Sequence, residues 1–475
     1  MLPRRPLDAL LGALPEYVLT PEGAAQGITI TAIDHDSRVV GPGSLYCALK
    51  GEHSDGHDHA AVAVRAGAVA VVVERPLGLA VPEIVVPDAR AAMGRLADAL
   101  FDHPSGRIAV VGVTGTNGKT TVTHLLAAVL EHAGRPTRVL GTLSGARTTP
   151  EAPAVQAALA EAAEAGAVVV AMEVSSHAIE LRRIVGTWFT VAVFTNLSQD
   201  HLDFHGTMDR YFAAKARLFE PERAAVGLVN RDDPWGARLL EAMAIPAVAW
   251  SAQDAEDVEL RADGSTFTWR GHRVALALAG RFNLANAVAA AETALALGLE
   301  PEQVAAGLAH AGPVRGRFEP VADGDVAVLV DYAHTPEGLV QALASARELT
   351  TGRLIVVFGC GGDRDRAKRP LMGRAADEGA DVVIVTSDNP RQEDPAAIID
   401  AVLTGVERED DLIVEPDRRR AVEAAVALAS PGDLVLLAGK GHETTQDLGD
   451  RVIAFDDREV AAAALRRRGS REVGA

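Results

Sequence analysis

Gly112-Val113-Thr114-Gly115-Thr116-Asn117-Gly118-Lys119-Thr120-Thr121 lies between an apolar run at 108–113 and a helix-patterned stretch over about 119–133. A buried strand, a glycine-rich turn and a helix N-terminus in that order aim successive backbone N–H groups and the helix dipole at one point, which makes a phosphate cradle. In such a loop Lys119 reaches the β- and γ-phosphates and the Thr120 hydroxyl binds Mg²⁺, while Gly115, Thr116, Asn117, Gly118 and Thr121 supply the rest of the ATP-binding turn. The match to the common Walker pattern is imperfect. Its first glycine would fall on Val113, and Gly112 and Gly115 bracket that position instead. A plain glycine-rich strand-to-helix turn is the competing reading. The strand and helix on either side favour a nucleotide triphosphate and predict a parallel α/β sheet.

Outward from the loop, the chain divides into three. Residues 1–105 carry strand-like runs at 28–33, 44–49, 68–73 and 83–86 and a helix pattern at 89–101, ended by His103, Pro104, Ser105 and Gly106. The segment 106–314 opens on the phosphate loop and has further buried strands at 167–173 and 191–195, until Gly312, Pro313 and Gly316 break the pattern. In 315–475, apolar strands at 327–331, 354–359, 382–386 and 434–438 alternate with helical stretches, as in a doubly wound, Rossmann-like unit. The expected fold class is thus α/β in three domains, and 475 residues suit three at roughly 150 residues each.

A formal charge of −19 makes the surface as a whole repel nucleic acid and anionic membranes. Any anionic ligand needs a local basic or backbone-amide site. Cys47 and Cys360 form neither a CxxC pair nor a disulfide framework, and no apolar run reaches about 18 residues. The chain reads as a soluble, cytoplasmic protein without membrane insertion.

Two strand ends carry further chemistry. The run at 167–172 leads into Glu173-Val174-Ser175-Ser176-His177, placing a carboxylate at the sheet edge where ligands of open α/β folds gather, as a candidate Mg²⁺ ligand. The strand at 191–195 leads into Asn196-Leu197-Ser198-Gln199-Asp200-His201-Leu202-Asp203-Phe204-His205-Gly206. His201 and His205, four apart with Asp203 between, could hold zinc; phosphate chemistry instead calls for a hard cation with oxygen ligands. His205 is equally well read as packing in a turn, and His201 is the better ligand candidate. In the next helix Met208, Tyr211, Phe212, Lys215, Leu218 and Phe219 share a face. A lysine there must find a partner, lose its charge or snorkel outward.

Together these residues resemble the Mur ligases, ATP-dependent amide-forming enzymes of bacterial cell-wall precursor synthesis. The resemblance covers essentially the whole chain and rests on the phosphate loop, Met172 to His177, Asn196 to Gly206, Tyr211 to Phe219, Arg281-Phe282-Asn283-Leu284-Ala285-Asn286, Gly316-Arg317-Phe318-Glu319, Asp331-Tyr332-Ala333-His334-Thr335-Pro336 and Gly359-Cys360-Gly361-Gly362-Asp363-Arg364. It implies a uridine-nucleotide domain at 1–105, a central ATPase domain at 106–314 and an amino-acid-binding domain at 315–475. It also implies that CO₂ carbamylates Lys215 to N6-carboxylysine, turning a cation into a metal-binding anion. Thr120 and Glu173 would then hold one Mg²⁺, and His201 and Lys215 the other, with Lys119, Glu173, His201 and Lys215 as the catalytic set. Asn283 and Asn286 would form the adenine pocket, and Arg317 and His334 would hold nucleotide or intermediate.

Asp388-Asn389-Pro390-Arg391 resembles the box of family members that add diaminopimelate as the third residue of the stem peptide. The planar guanidinium of Arg391 can grip the distal carboxylate at two points, a group lysine as substrate lacks. Arg364, Asp388, Asn389, Pro390, Gly439 and Glu443 complete that pocket by the same resemblance. For the UDP-muramoyl dipeptide it implies Ser37, Glu52, His53 and Ser54, with Thr148, Thr149, Ser175 and Arg183 facing the peptide. Two departures fall here: Glu52-His53-Ser54 stands where some relatives have His-Gln-Ala, and Leu181 where some have glutamine. The expected reaction is acyl-phosphate formation followed by amide formation, in a monomer. A folylpolyglutamate synthase would share the loop and lysine but not the first domain or the 388–391 box. A nucleotide-gated binding protein would be expected to have lost one of Lys119, Thr120, Glu173, His201 or Lys215.

Overall fold

The computed structural model describes residues 3–51, 54–145, 147–321 and 326–472. The first unit holds a five-stranded sheet of β1 (Val18–Thr20), β2 (Ala32–Asp34), β3 (Ser44–Cys47), β4 (Ala68–Val73) and β5 (Glu83–Val85), ordered β1-β5-β4-β3-β2 with only the β1–β5 pair antiparallel. Helix α1 (Ala89–Leu100) seats Met93, Leu96 and Leu100 in the same core as Leu45 and Val72. The run expected as one strand at 28–33 is split. Thr29–Ile30 pairs with Arg5–Pro6, whereas Ala32–Asp34 joins the main sheet, and Thr31 N–H is turned to the Gly43 carbonyl at 3.0 Å.

The middle unit is built on six parallel strands: β6 (Ala109–Thr114), β7 (Thr137–Leu140), β8 (Val169–Glu173), β9 (Phe189–Phe194), β10 (Ala224–Asn230) and β11 (Ala247–Trp250), in the order β11-β10-β9-β6-β8-β7. Helix α2 (Lys119–His132) follows β6, α3 (Met208–Ala216) precedes β10, and α4 (Arg281–Ala296) covers one face. Alternate residues of the strands enter two separate cores. Val111, Val113 and Val193 pack with Leu125 and Leu284, and Val110, Ala192 and Phe194 pack with Phe212 and Leu218. A sheet covered on both sides explains why these strands read as unbroken apolar runs. An antiparallel meander at Ala255–Arg261, Gly264–Trp269 and His272–Leu276 was not expected from the sequence.

The last unit has β12 (Glu319–Val321), β13 (Ala327–Asp331), β14 (Leu354–Phe358), β15 (Val382–Val385), β16 (Leu412–Val414) and β17 (Leu434–Ala438), ordered β12-β13-β17-β14-β15-β16 with β12 antiparallel at one edge. Helices α5 (Pro336–Arg347) and α6 (Lys368–Gly379) cover one side. Val314 belongs to a middle core and Phe318 to the last, on either side of the expected joint, but Ala279 from the middle segment also packs into the last core. Registers level the strand ends in both larger sheets: Glu173 lies opposite Val113 and Phe194 opposite Thr114, while Asp331 lies opposite Ala438. The loops with the chemistry therefore leave from common edges.

Candidate active site

The phosphate loop takes a conformation only glycine tolerates. Gly115 has φ +151°, and an added Cβ would lie 1.9 Å from Thr195 Oγ1; Gly118 has φ +88° and would meet Asn286 Oδ1 at 2.3 Å. Lys119 folds back over the loop and donates to the carbonyls of Gly115 at 2.9 Å and Thr116 at 2.7 Å. Burial lowers its pKa, against the opposing pull of Glu173 and Asp200.

Thr120 Oγ1 donates to Glu173 Oε1 at 3.0 Å and Oε2 at 3.1 Å. The carboxylate also accepts from Thr142 N at 2.8 Å and Thr142 Oγ1 at 3.1 Å. Glu173 is fully buried, yet among the described residues no Lys, Arg or His nitrogen forms an ion pair with it within 4.0 Å. From the last unit, Arg317 donates Nη2 to Thr120 Oγ1 at 3.1 Å and stacks over the Tyr332 ring at 4.7 Å. These residues face a cavity of about 340 Å³ whose walls include Lys119, Thr120, Glu173, His201, Asn286, Arg317 and His334.

Lys215 lies beneath the loop rather than in the cavity wall. It is 1% exposed, donates Nζ to the Gly115 carbonyl at 2.8 Å and sits 4.7 Å from the Tyr211 ring centroid. The apolar-face lysine does not snorkel. Burial, with Lys119 close by, drives its pKa well below the ordinary lysine value. His201 has φ +53° and meets His177 edge-on at 4.6 Å between ring centroids. Burial brings its pKa down to about 4, so its imidazole is neutral at neutral pH. His205 is a packing residue: it is buried, with Nε2 2.9 Å from Ser176 Oγ. Among the described residues, no group of three His, Cys, Asp or Glu side chains forms a ready metal cluster.

Several expected residues take indirect positions. Asn283 is wholly buried behind Asn286, which donates to its Oδ1 at 3.3 Å, and Asn283 itself donates to the Ala279 carbonyl at 2.9 Å. The wall beside Asn286 is formed by Trp250, which the sequence did not single out, and by Phe282 and Ala285, which belong to the 281–286 motif but had no role assigned. His334 lines the cavity with Nδ1 2.8 Å from the Tyr332 carbonyl. Thr148 is in the wall, 3.1 Å from Thr142 Oγ1. Thr149, Ser175 and Arg183 cluster: Ser175 N donates to Thr149 Oγ1 at 3.1 Å, and Arg183 to the Thr149 carbonyl at 3.2 Å. A larger cleft of about 1310 Å³ lies between the first unit and helix Ala152–Glu164; Asp34 and His35 line it, and Ser37 and Ser54 lie outside its wall. Ser54 instead pairs with His59 at 2.9 Å, and Glu52 and His53 fall outside the described residues.

The 388–391 box follows β15. Gly362 N donates to the Asn389 carbonyl at 2.9 Å, and Gly362 has no room for a Cβ, which would lie 1.9 Å from the Pro390 carbonyl oxygen. Arg391 has φ +52° and donates Nη1 to the Gly362 carbonyl at 2.7 Å. Gly439, φ +108°, approaches Asp388, whose pKa is raised by burial. Asn389 Nδ2 donates to Glu443 Oε2 at 2.8 Å. The structure thus brings Asp388, Asn389, Pro390, Arg391, Gly439 and Glu443 together. Arg364 has its side chain near Gly361, at 3.8 Å from the position of an added Cβ. The hairpin Thr445–Asp447/Val452–Ala454 backs the box, with Gln446 Nε2 donating to the Asp388 carbonyl at 2.6 Å; it too was missed.

A phosphate loop with a buried lysine beneath it and a third unit that reaches back to the loop are the arrangement of a three-part ATP-dependent ligase, and the sequence matches the Mur ligase family, catalytic domain over 29–100, the Mur ligase middle domain over 113–294 and the Mur ligase glutamate ligase domain over 316–441. The chain belongs to the Mur ligase family. It is 47% identical over 470 residues to a UDP-N-acetylmuramoyl-L-alanyl-D-glutamate--2,6-diaminopimelate ligase from Gloeobacter violaceus, covering 94% of this chain and 95% of that one. The ligase of the same name from Geobacillus thermodenitrificans is 44% identical over 97% of this chain and 99% of its own length. A solved structure of such a ligase superposes with a TM-score of 0.70 at 32% identity, covering 97% of this chain and 99% of the other.

Proposed function

We propose that this chain joins diaminopimelate to the γ-carboxylate of the D-glutamate residue in UDP-N-acetylmuramoyl-L-alanyl-D-glutamate, at the expense of ATP, in peptidoglycan precursor synthesis. The observation that carries the reading is the reach of Arg317: the unit that holds the 388–391 box also donates to Thr120 at the phosphate loop. Nucleotide and amino acid are thereby handled by one assembly. Similarity at 47% and 44% identity, over 94% and 97% of this chain, to two ligases named for this reaction supports the choice of substrates.

A carboxylate does not react with an amine at neutral pH. Transfer of the γ-phosphoryl group to the dipeptide carboxylate gives an acyl phosphate, which the amine of diaminopimelate attacks; phosphate then leaves from a tetrahedral intermediate. Phosphoryl transfer is chiefly a matter of positioning and charge neutralisation. Lys119 exchanges its two loop carbonyls for the β- and γ-phosphates, and Arg317 and His334 bear on the same phosphates. Asn286, with Asn283 behind it, meets the adenine. Ser37, Ser54, Thr148, Thr149, Ser175 and Arg183 are assigned to the UDP-dipeptide.

The residues present suit Mg²⁺. Glu173 is a wholly buried carboxylate without an ion-pair partner among the described residues, next to the Thr120 hydroxyl, a hard-oxygen pair. Thr120 and Glu173 would hold one ion, and His201 with carbamylated Lys215 the other; bound there, Mg²⁺ neutralises charge on the phosphates. Lys215 favours that modification because its amine is buried with a single hydrogen-bond acceptor and no carboxylate partner among the described residues. As a neutral amine its nitrogen bonds to the carbon of CO₂ and releases one proton, leaving a carbamate anion.

We assign residues 1–105 to the UDP-dipeptide, 106–314 to ATP and 315–475 to the amino acid. The enzyme is assigned as a monomer, and its nucleotide substrates support a cytoplasmic location; among the described residues no helix is long and apolar enough to cross a membrane. Phosphate release tests the reading: it is expected only when ATP, the UDP-muramoyl dipeptide and diaminopimelate are all present. Equal release with diaminopimelate omitted would overturn it.

A further inference from the structure

We infer that Lys440 is a positioning residue of the amino-acid pocket, locking Asn389 and Glu443 into one arrangement so that Glu443 Oε1 and one Asn389 amide N–H are the groups left to meet the distal ammonium and carboxylate of the incoming amino acid. This rests on the diaminopimelate reading above.

Lys440 lies two residues beyond the end of β17 and is 0% exposed. A buried ammonium is tolerated only with good partners. Its Nζ donates to Glu443 Oε2 at 2.9 Å and Asn389 Oδ1 at 3.2 Å, with Asp388 Oδ1 at 3.9 Å. Asn389 Oδ1 accepts a second bond, from Asp447 N at 2.9 Å. Turning that amide over would set its NH₂ against two donors, so its orientation is fixed. Nδ2 then spends one hydrogen on Glu443 Oε2 and keeps one.

Glu443 is sorted in the same way. Oε2 takes both donors, and Oε1 receives no hydrogen bond from the described residues. Burial alone would raise the Glu443 pKa; the charge and hydrogen bond of Lys440 outweigh it and hold the carboxyl below its ordinary range, ready for an ammonium ion. Other buried cations nearby are matched by their own carboxylates: Arg418 pairs with Asp457 at 2.7 Å and donates to the Ala438 carbonyl at 2.9 Å, and Arg369 pairs with Glu393 at 2.9 Å. Lys440 is the cation aimed at the pocket residues.

The test is steady-state kinetics of Lys440→Met and Lys440→Gln in the full chain, with KM measured for each of the three substrates. For Lys440→Met the KM for diaminopimelate should rise by about tenfold or more, the loss of one charged contact, while those for ATP and the UDP-dipeptide stay within about twofold. Lys440→Gln, which keeps an N–H donor without the charge, should fall between wild type and Lys440→Met. It also stands alone if the methionine variant does not fold, its diaminopimelate KM again rising selectively. An unchanged diaminopimelate KM, or three KM values moving together, would overturn the positioning role while leaving the ligase reading intact. Wild type inactive with diaminopimelate would overturn the ligase reading itself, and this inference with it.

Discussion

Thr120 and Glu173, 53 residues apart, are joined by a hydroxyl that donates to both carboxylate oxygens at 3.0 and 3.1 Å, bridging the first turn of α2 to the end of β8. Parallel pairing of β8 with β6 sets that distance, because Glu173 is level with Val113 at the root of the phosphate loop. Glu173→Gln keeps the shape and removes the charge. The turnover number should fall about a hundredfold or more, as for loss of one charge-stabilising group, with a melting temperature close to wild type. Activity within a few-fold of wild type would take Glu173 out of the metal site.

Lys215 should carry a carbamate. Protein equilibrated with ¹³C-bicarbonate is expected to show a carbamate carbon resonance that is absent from Lys215→Met, and Lys215→Ala should lose turnover. A Lys215→Ala enzyme as fast as wild type would exclude the modification from the reaction.

Arg391 combines a left-handed backbone, φ +52°, with a guanidinium held on the Gly362 carbonyl. Arg391→Ala should raise the KM for diaminopimelate by about tenfold or more and leave that for ATP little changed. Arg391→Lys should recover only part, because an ammonium cannot make the planar two-point contact. An equal rise for ATP would point to collapse of the loop.

His442 is held neutral by burial, its pKa lowered to about 4 from 6.5. Between those values the unfolded chain binds a proton there that the folded chain refuses, so folding is penalised as the pH falls from about 6.5 toward 4 and unaffected by this group above that window. The melting temperature of wild type should therefore drop more steeply over that range than that of His442→Gln. Parallel curves would contradict it.

Much of this was legible in the sequence because parallel strands buried on both faces read as apolar runs: β4, β13 and β17 lie where the runs at 68–73, 327–331 and 434–438 place them. The chemistry-bearing motifs follow such runs, so their position at strand ends was legible too. The missed elements are short or partly exposed, such as β1, with Val18 and Thr20 exposed, and the charge-bearing strand Ala255–Arg261. Distance in the chain hid the rest. Nothing local ties Arg317 to Thr120, or the hairpin at Gln446 to Asp388, and nothing local marks Trp250 and Phe282 as cavity residues until the fold turns them to it.

The most direct test of the central claim is phosphate release with ATP and the UDP-muramoyl dipeptide against a panel of amino acids. Diaminopimelate should support release matched by tripeptide product, and lysine, without the distal carboxylate that Arg391 is placed to bind, should support almost none. Release with lysine as fast as with diaminopimelate would contradict the account.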